Sequence, residues 1–199
     1  MRQFDITKTN VAVERLLDST ENARHRYLLA AYNRHRNLEM AGRHAEIFVP
    51  EMTVEHPIYR FSFIGQPPFK LDGRQEVEAL YRTWTETDEC VFYMEGETVA
   101  VSDNMIVSRA VLFQQQLGSS IPERGADDPT AMYLIKANIA MIWPYDDDGR
   151  LIGEDVWEYD DADRDIIKLD PVDVLTAEQA AKLLDPLITP LPPRPAWDI

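Results

Sequence analysis

Thiols and basic residues are the two things this chain has least of. Cys90 is the only cysteine among 199 residues, which rules out an internal disulfide framework and fits a reducing compartment. Lys and Arg number 20 against 35 Asp and Glu, a formal net charge of −15. Such a surface repels a phosphate backbone, and no basic cluster reverses the sign locally, so nucleic acid is not an expected partner. No apolar run approaches the roughly 20 residues that span a bilayer, and Met1-Arg2-Gln3-Phe4-Asp5 is not the start of a secretory signal. The expectation is a cytoplasmic protein with no membrane partner. A Gly-rich phosphate loop, a nucleophile elbow and a nicotinamide fingerprint are missing. The histidines His25, His35, His44 and His56 show no metal spacing. Neither a metal nor a cofactor is expected, and Asp146-Asp147-Asp148-Gly149 reads as a hairpin turn rather than a calcium loop.

What is present suits one ordinary globular domain, with 45% hydrophobic residues. Residues 10–43 read as helix, broken near Asp18-Ser19-Thr20, with Ser19 or Thr20 capping the second part. His25, His35 and His44, with Arg26, Arg34 and Arg36, read as its polar surface. Met52-Thr53-Val54-Glu55-His56-Pro57 alternates as a strand closed by proline, followed by a loop from Phe61 to Leu71. Asp72-Gly73-Arg74 opens a helix to about Thr87, with Val77, Leu80, Tyr81 and Trp84 on one face. The period then changes to two, and four strands follow: 90–101, 105–117, 131–143 and 151–159. Thr176-Ala177-Glu178-Gln179 fits a capping box, and Pro190, Pro192, Pro193 and Pro195 imply an extended tail. Helices first and a meander of four antiparallel strands afterwards argue α+β rather than a parallel sheet. The division expected is a domain over 1–165, with an N-terminal helical extension, and a short helix and Pro-rich tail over 166–199.

Three segments carry a resemblance. Thr53-Val54-Glu55-His56-Pro57, preceded by a helical tyrosine, is similar to the ketosteroid isomerase opening, Thr-Val-Glu-Asp-Pro. Asp72-Gly73-Arg74-Gln75-Glu76-Val77 resembles that group's entry to its middle helix. Asp148-Gly149-Arg150-Leu151-Ile152 with Trp157-Glu158-Tyr159-Asp160 resembles the last strand of SnoaL-type polyketide cyclases. Over residues 21–160 the chain therefore looks like the nuclear-transport-factor-2-like superfamily, in its SnoaL-like and ketosteroid-isomerase-like group. The resemblance implies a curved antiparallel sheet wrapped with helices into a cone-shaped α+β barrel, a homodimer, and an apolar pocket for a hydrophobic small molecule. It also implies isomerase, cyclase or dehydratase chemistry by acids and bases alone, or binding without chemistry.

The resemblance also selects the candidate site. His56 stands where the isomerases keep a catalytic aspartate, and imidazole titrates near neutral pH, so it is the expected general base. Tyr32, counted back without gaps, falls on the isomerase oxyanion tyrosine, and Tyr27 takes that place if the connection holds an insertion. Asn138 occupies the region of the isomerases' protonated aspartate. On the last strand Asp155, Trp157 and Tyr159 form the more apolar face, which puts Asp155 inside, in competition with Glu158. Arg109 is a candidate partner for such an acid. Trp84, Trp143 and Trp157 are expected to wall the pocket.

Overall fold

The computed structural model describes residues 4–121 and 125–197. Four helices and seven strands follow in the order α1 (Val11–Ser19), α2 (Ala23–Met40), β1 (Thr53–Ser62), β2 (Phe69–Asp72), α3 (Arg74–Glu86), β3 (Phe92–Val101), β4 (Met105–Leu117), β5 (Met132–Pro144), β6 (Leu151–Tyr159), β7 (Asp165–Lys168) and α4 (Ala177–Leu184). The expected helical stretch does break after residue 19, but Asn22 is the cap, its side chain accepting from the backbone N–H of Arg24 and His25. The Thr176–Gln179 capping box forms as read.

The sheet runs β2-β1-β6-β5-β4-β3, with β7 added against β5. It is curved and does not close on itself. One expectation needs correcting: β1 pairs with β6 in parallel, so the sheet is mixed. A second concerns β1 itself, which does not stop at Pro57. Its ladder to β6 is interrupted between Thr53 and Ile58, the stretch holding the proline that has no N–H to give, and then continues to Ser62. The strand β7 went unread because Asp165-Ile166-Ile167-Lys168 is too short to show a period. Through β7, residues 165–168 join the sheet beside β5.

The main core lies between the helices and the concave face, gathering residues such as Leu28, Leu38, Tyr59, Val77, Ile106, Ile135 and Trp143. A smaller cluster of Phe113, Leu134 and Leu169, with Phe4 and Tyr93 against it, covers part of the other face. The Pro-rich tail is extended but packed. Arg34 donates to the Thr189 carbonyl at 2.9 Å, and the Trp197 indole donates to the Asp147 carbonyl at 3.0 Å. The Arg24 guanidinium lies 4.8 Å from the Trp197 ring and donates to the carbonyls of Asp103, Asp146 and Asp147. It thereby fastens the start of α2 to both hairpin turns. No described helix is long and apolar enough to cross a membrane.

Candidate functional site

Helix α2 lays a polar stripe against the sheet. Tyr32, His35, Arg36 and Glu39 follow at intervals of three, one and three residues, which places them on one side of the helix. Arg36 is 1% exposed, and its Nη1 donates to both carboxylate oxygens of Glu97 at 2.9 and 3.0 Å. The Glu97 side chain is buried as deeply. A bulge brings it there: the β3–β4 register shifts between Glu95 and Thr98, and Gly96 sits at φ +63°, a conformation glycine adopts without strain. Tyr32 supports the pair from below. Its hydroxyl is 3.2 Å from Ser108 Oγ and accepts from Arg36 Nη1 at 3.4 Å, while its ring meets Trp143 edge-on at 4.7 Å.

Beside this pair lies a cavity of about 50 Å³, room for roughly three to five waters. Arg36, Glu39 and Glu154 supply its charge and Gln114 its amide. Phe61, Phe63, Trp84, Phe92 and Trp143 supply its aromatic wall, and Met94, Met141, Leu112, Ile139 and Val156 the remainder. Three buried donors here have no partner among the described residues: Arg36 Nε, Arg36 Nη2 and Trp143 Nε1. Such orphans are rare in folded proteins, because each forfeits a hydrogen bond it had in water.

The two carboxyls are held away from their ordinary behaviour. Burial pushes Glu39 up to about 7, with the Arg36 charge opposing the shift. Glu154 is also raised well above the usual carboxylate range, first by burial and then by repulsion from Glu39, again against Arg36. No described group donates a hydrogen bond to either, so the Arg36 charge is the main local influence favouring the ionised forms. Burial also lifts the Tyr32, Tyr59, Tyr81 and Tyr145 phenols, which stay protonated. His35, taken from the sequence as a surface residue, is buried with Nε2 3.2 Å from the Tyr81 hydroxyl. Its pKa is pushed down to about 3 by burial and by Arg36, so it is a neutral part of the core.

The expected site residues divide between the cavity and the surface. Trp84 and Trp143 line the cavity, and Tyr32 lies just behind it. His56 does not. Pro57, Tyr59 and Phe61 alternate inward along β1, which turns His56 outward; it is 67% exposed and pairs with Asp72 at 2.7 Å. On β6 the inward face is the opposite of the one expected. Glu154 and Val156 face the cavity, while Asp155 sits outside and pairs with Arg60 on β1 at 3.1 Å. Trp157 is on that outer surface too, 38% exposed. Glu158 is buried but committed to Arg164 at 3.1 Å. Arg109 binds the Tyr159 hydroxyl at 2.9 Å, and Asn138 donates to the exposed Asp163 at 2.9 Å. Tyr27 packs at the tail, 5.4 Å from the Trp197 ring. A larger groove of about 590 Å³ runs between Phe4–Ile6 and residues 172–183. Its amides, Gln115 and Gln179, are already bonded, and among the described residues it holds no orphaned donor, so the smaller cavity is the candidate site.

No family model and no curated protein matches the chain. Solved structures do. A candidate SnoaL-like polyketide cyclase from Jannaschia sp. CCS1 superposes with a TM-score of 0.50 at 13% identity, over 70% of this chain and 90% of that one. The chain has the nuclear-transport-factor-2-like fold. Two other matches are an epoxide hydrolase/cyclase-like enzyme, SalBIII, of pyran ring formation in salinomycin, and a phenazine biosynthesis-related protein from Pseudomonas aeruginosa. The first has a TM-score of 0.45 at 12% identity, over 71% of this chain and 95% of that one. The second has 0.43 at 15%, over 65% and 83%. In this NTF2-like fold the space between α2 and the curved sheet is where α2, β3 and β6 deliver Arg36, Glu39, Glu97 and Glu154. Sequence reasoning missed all four. Two signals were there: a polar stripe at helical spacing in α2, and a glycine inside a strand pattern at Glu95-Gly96-Glu97, the mark of a bulge.

Proposed function

We propose that this protein is an acid–base enzyme of the isomerase, cyclase or dehydratase type, acting without a cofactor on a small, largely apolar molecule in the cone cavity. The observation that carries the reading is the pairing of Glu154, which is buried, with Glu39, which is half-buried, on one cavity beside a guanidinium and with no hydrogen-bond donor to either among the described residues. Two such groups do not both ionise readily, so one serves as base while its neighbour is still an acid. The ionised carboxyl removes a proton from the substrate, and the protonated one returns a proton at the second position. The indole N–H of Trp143 is free to donate to an oxygen that gains charge, a preorganised contact of the kind that lowers such barriers. Arg36, already balanced by Glu97, reduces the cost of one further negative charge. Tyr32 holds Arg36 in place, and Trp84 and Trp143 contact the substrate.

A small ketone incubated in heavy water tests this reading. Catalysed exchange of its α-hydrogens, lost in both Glu39→Gln and Glu154→Gln, is the expected result. A binding protein without chemistry is the second reading, favoured by the narrowness of a cavity of about 50 Å³. It predicts retention of the ketone with no exchange above the buffer rate. A homodimer through the outer sheet face, where Val107, Ile152 and Trp157 are exposed, accompanies either reading. Sedimentation showing a 22.9 kDa monomer at micromolar concentration would remove it.

A further inference from the structure

We propose that the substrate carries a carboxylate, held by the unoccupied side of the Arg36 guanidinium and by the indole N–H of Trp143. The inference rests on the acid–base reading of the same cavity and adds the class of molecule that enters it. A guanidinium offers planar forks of N–H groups, and a fork matches the two oxygens of a carboxylate. Glu97 takes both of its bonds from Nη1 alone. The neighbouring Nε and Nη2 form the other fork, buried and without a partner, on a residue that lines the cavity. The bonds to Glu97 and Tyr32 all come from Nη1, so they leave the second fork unaccounted for. Trp143 Nε1 is a third unused donor on the same cavity wall.

The charges allow it. Arg36 and Glu97 cancel as a pair, and a protonated Glu39 or Glu154 donates to an incoming carboxylate instead of repelling it. Phe61, Phe63, Trp84 and Phe92 favour an apolar body behind the acid group. A volume of three to five waters, each about 30 Å³ in the liquid, is on the order of 100–150 Å³, which suits a small aromatic or branched aliphatic acid.

The test compares benzoate with its neutral isostere benzamide, using protein labelled at the methionine methyls. Met94 and Met141 line the cavity and report occupancy. Expected is benzoate binding at least about tenfold tighter than benzamide, the range for a charge-assisted pair of bonds, with shifts at both methyls. Arg36→Lys keeps the charge opposite Glu97 and removes the fork, so it should erase the preference while benzamide binding persists. Equal affinities in the wild-type protein, or a preference that survives R36K, overturns the carboxylate assignment and leaves the acid–base reading standing. If neither probe moves the two methyls, the cavity is not a ligand site, and both proposals fall together. The wild-type comparison decides the matter even if R36K does not fold.

Discussion

Replacing Glu39 by glutamine should make the protein more stable in mild alkali while removing its chemistry. Glu39 has its pKa raised from 4.5 to about 7 by burial. The folded state therefore binds a proton more tightly than the unfolded chain does. Stability from this group is fully present below pH 4.5 and is lost as the pH rises through 7. At 1.36 kcal/mol per unit the loss is at most about 3 kcal/mol, and screening at the half-buried Glu39 reduces it to about 2 kcal/mol. Glutamine has the same shape and no such ionisation. It also removes one source of repulsion from Glu154, which lowers that group's share of the penalty. For a chain of this length, 1 kcal/mol moves Tm by about 2–4 °C. Thermal unfolding by circular dichroism at pH 5 and pH 8 should then show the wild type falling by roughly 4–8 °C more than E39Q. A wild-type Tm that is flat or rises between those values, or an E39Q slope equal to wild type, refutes the reasoning.

Other perturbations separate the site from its surroundings. Arg36→Met leaves Glu97 buried and unpaired and should cost about 3–5 kcal/mol, whereas Arg36→Met with Glu97→Met should recover most of it, measured by urea unfolding. His56→Ala should leave α-hydrogen exchange unchanged and alter stability by under about 1 kcal/mol, because its ion pair with Asp72 is exposed. Gly96→Ala forces an alanine to φ +63° and should cost about 1–2 kcal/mol. It should also weaken the Arg36–Glu97 pair, visible as lost protection of the β3 amides in hydrogen exchange.

Much of the fold could be read from the chain because its signals are local. The strands 105–117 and 151–159 are bounded by turns, and the capping box at Thr176 involves neighbours only. The α+β order followed from where the period changes from 3.6 to two. The site was harder to read. Which face of β6 looks inward is decided by its pairing with β1 and β5, and the aromatic face carrying Trp157 went outward while Glu154 went in. An acid at an inward position reads as an error of pattern until its function is known. Arg36 looked like helix surface because α2 is covered on nearly every side, by α1, the sheet and the tail, so its polar residues are buried alongside its apolar ones. The β1 position assigned to a catalytic base was carried from a family motif, and here the alternation of Pro57, Tyr59 and Phe61 turns that position outward.

The central claim is that Glu39 and Glu154 together retain a proton near neutral pH. Carbon NMR of protein labelled at the glutamate carboxyl carbons, titrated from pH 4 to 9 and assigned with E39Q and E154Q, measures it directly. The account predicts one carboxyl with a midpoint near 7 that vanishes in E39Q, and a second raised well above 4.5 that moves down in the same variant. Both carboxyls titrating together near the ordinary 4.5 would contradict it.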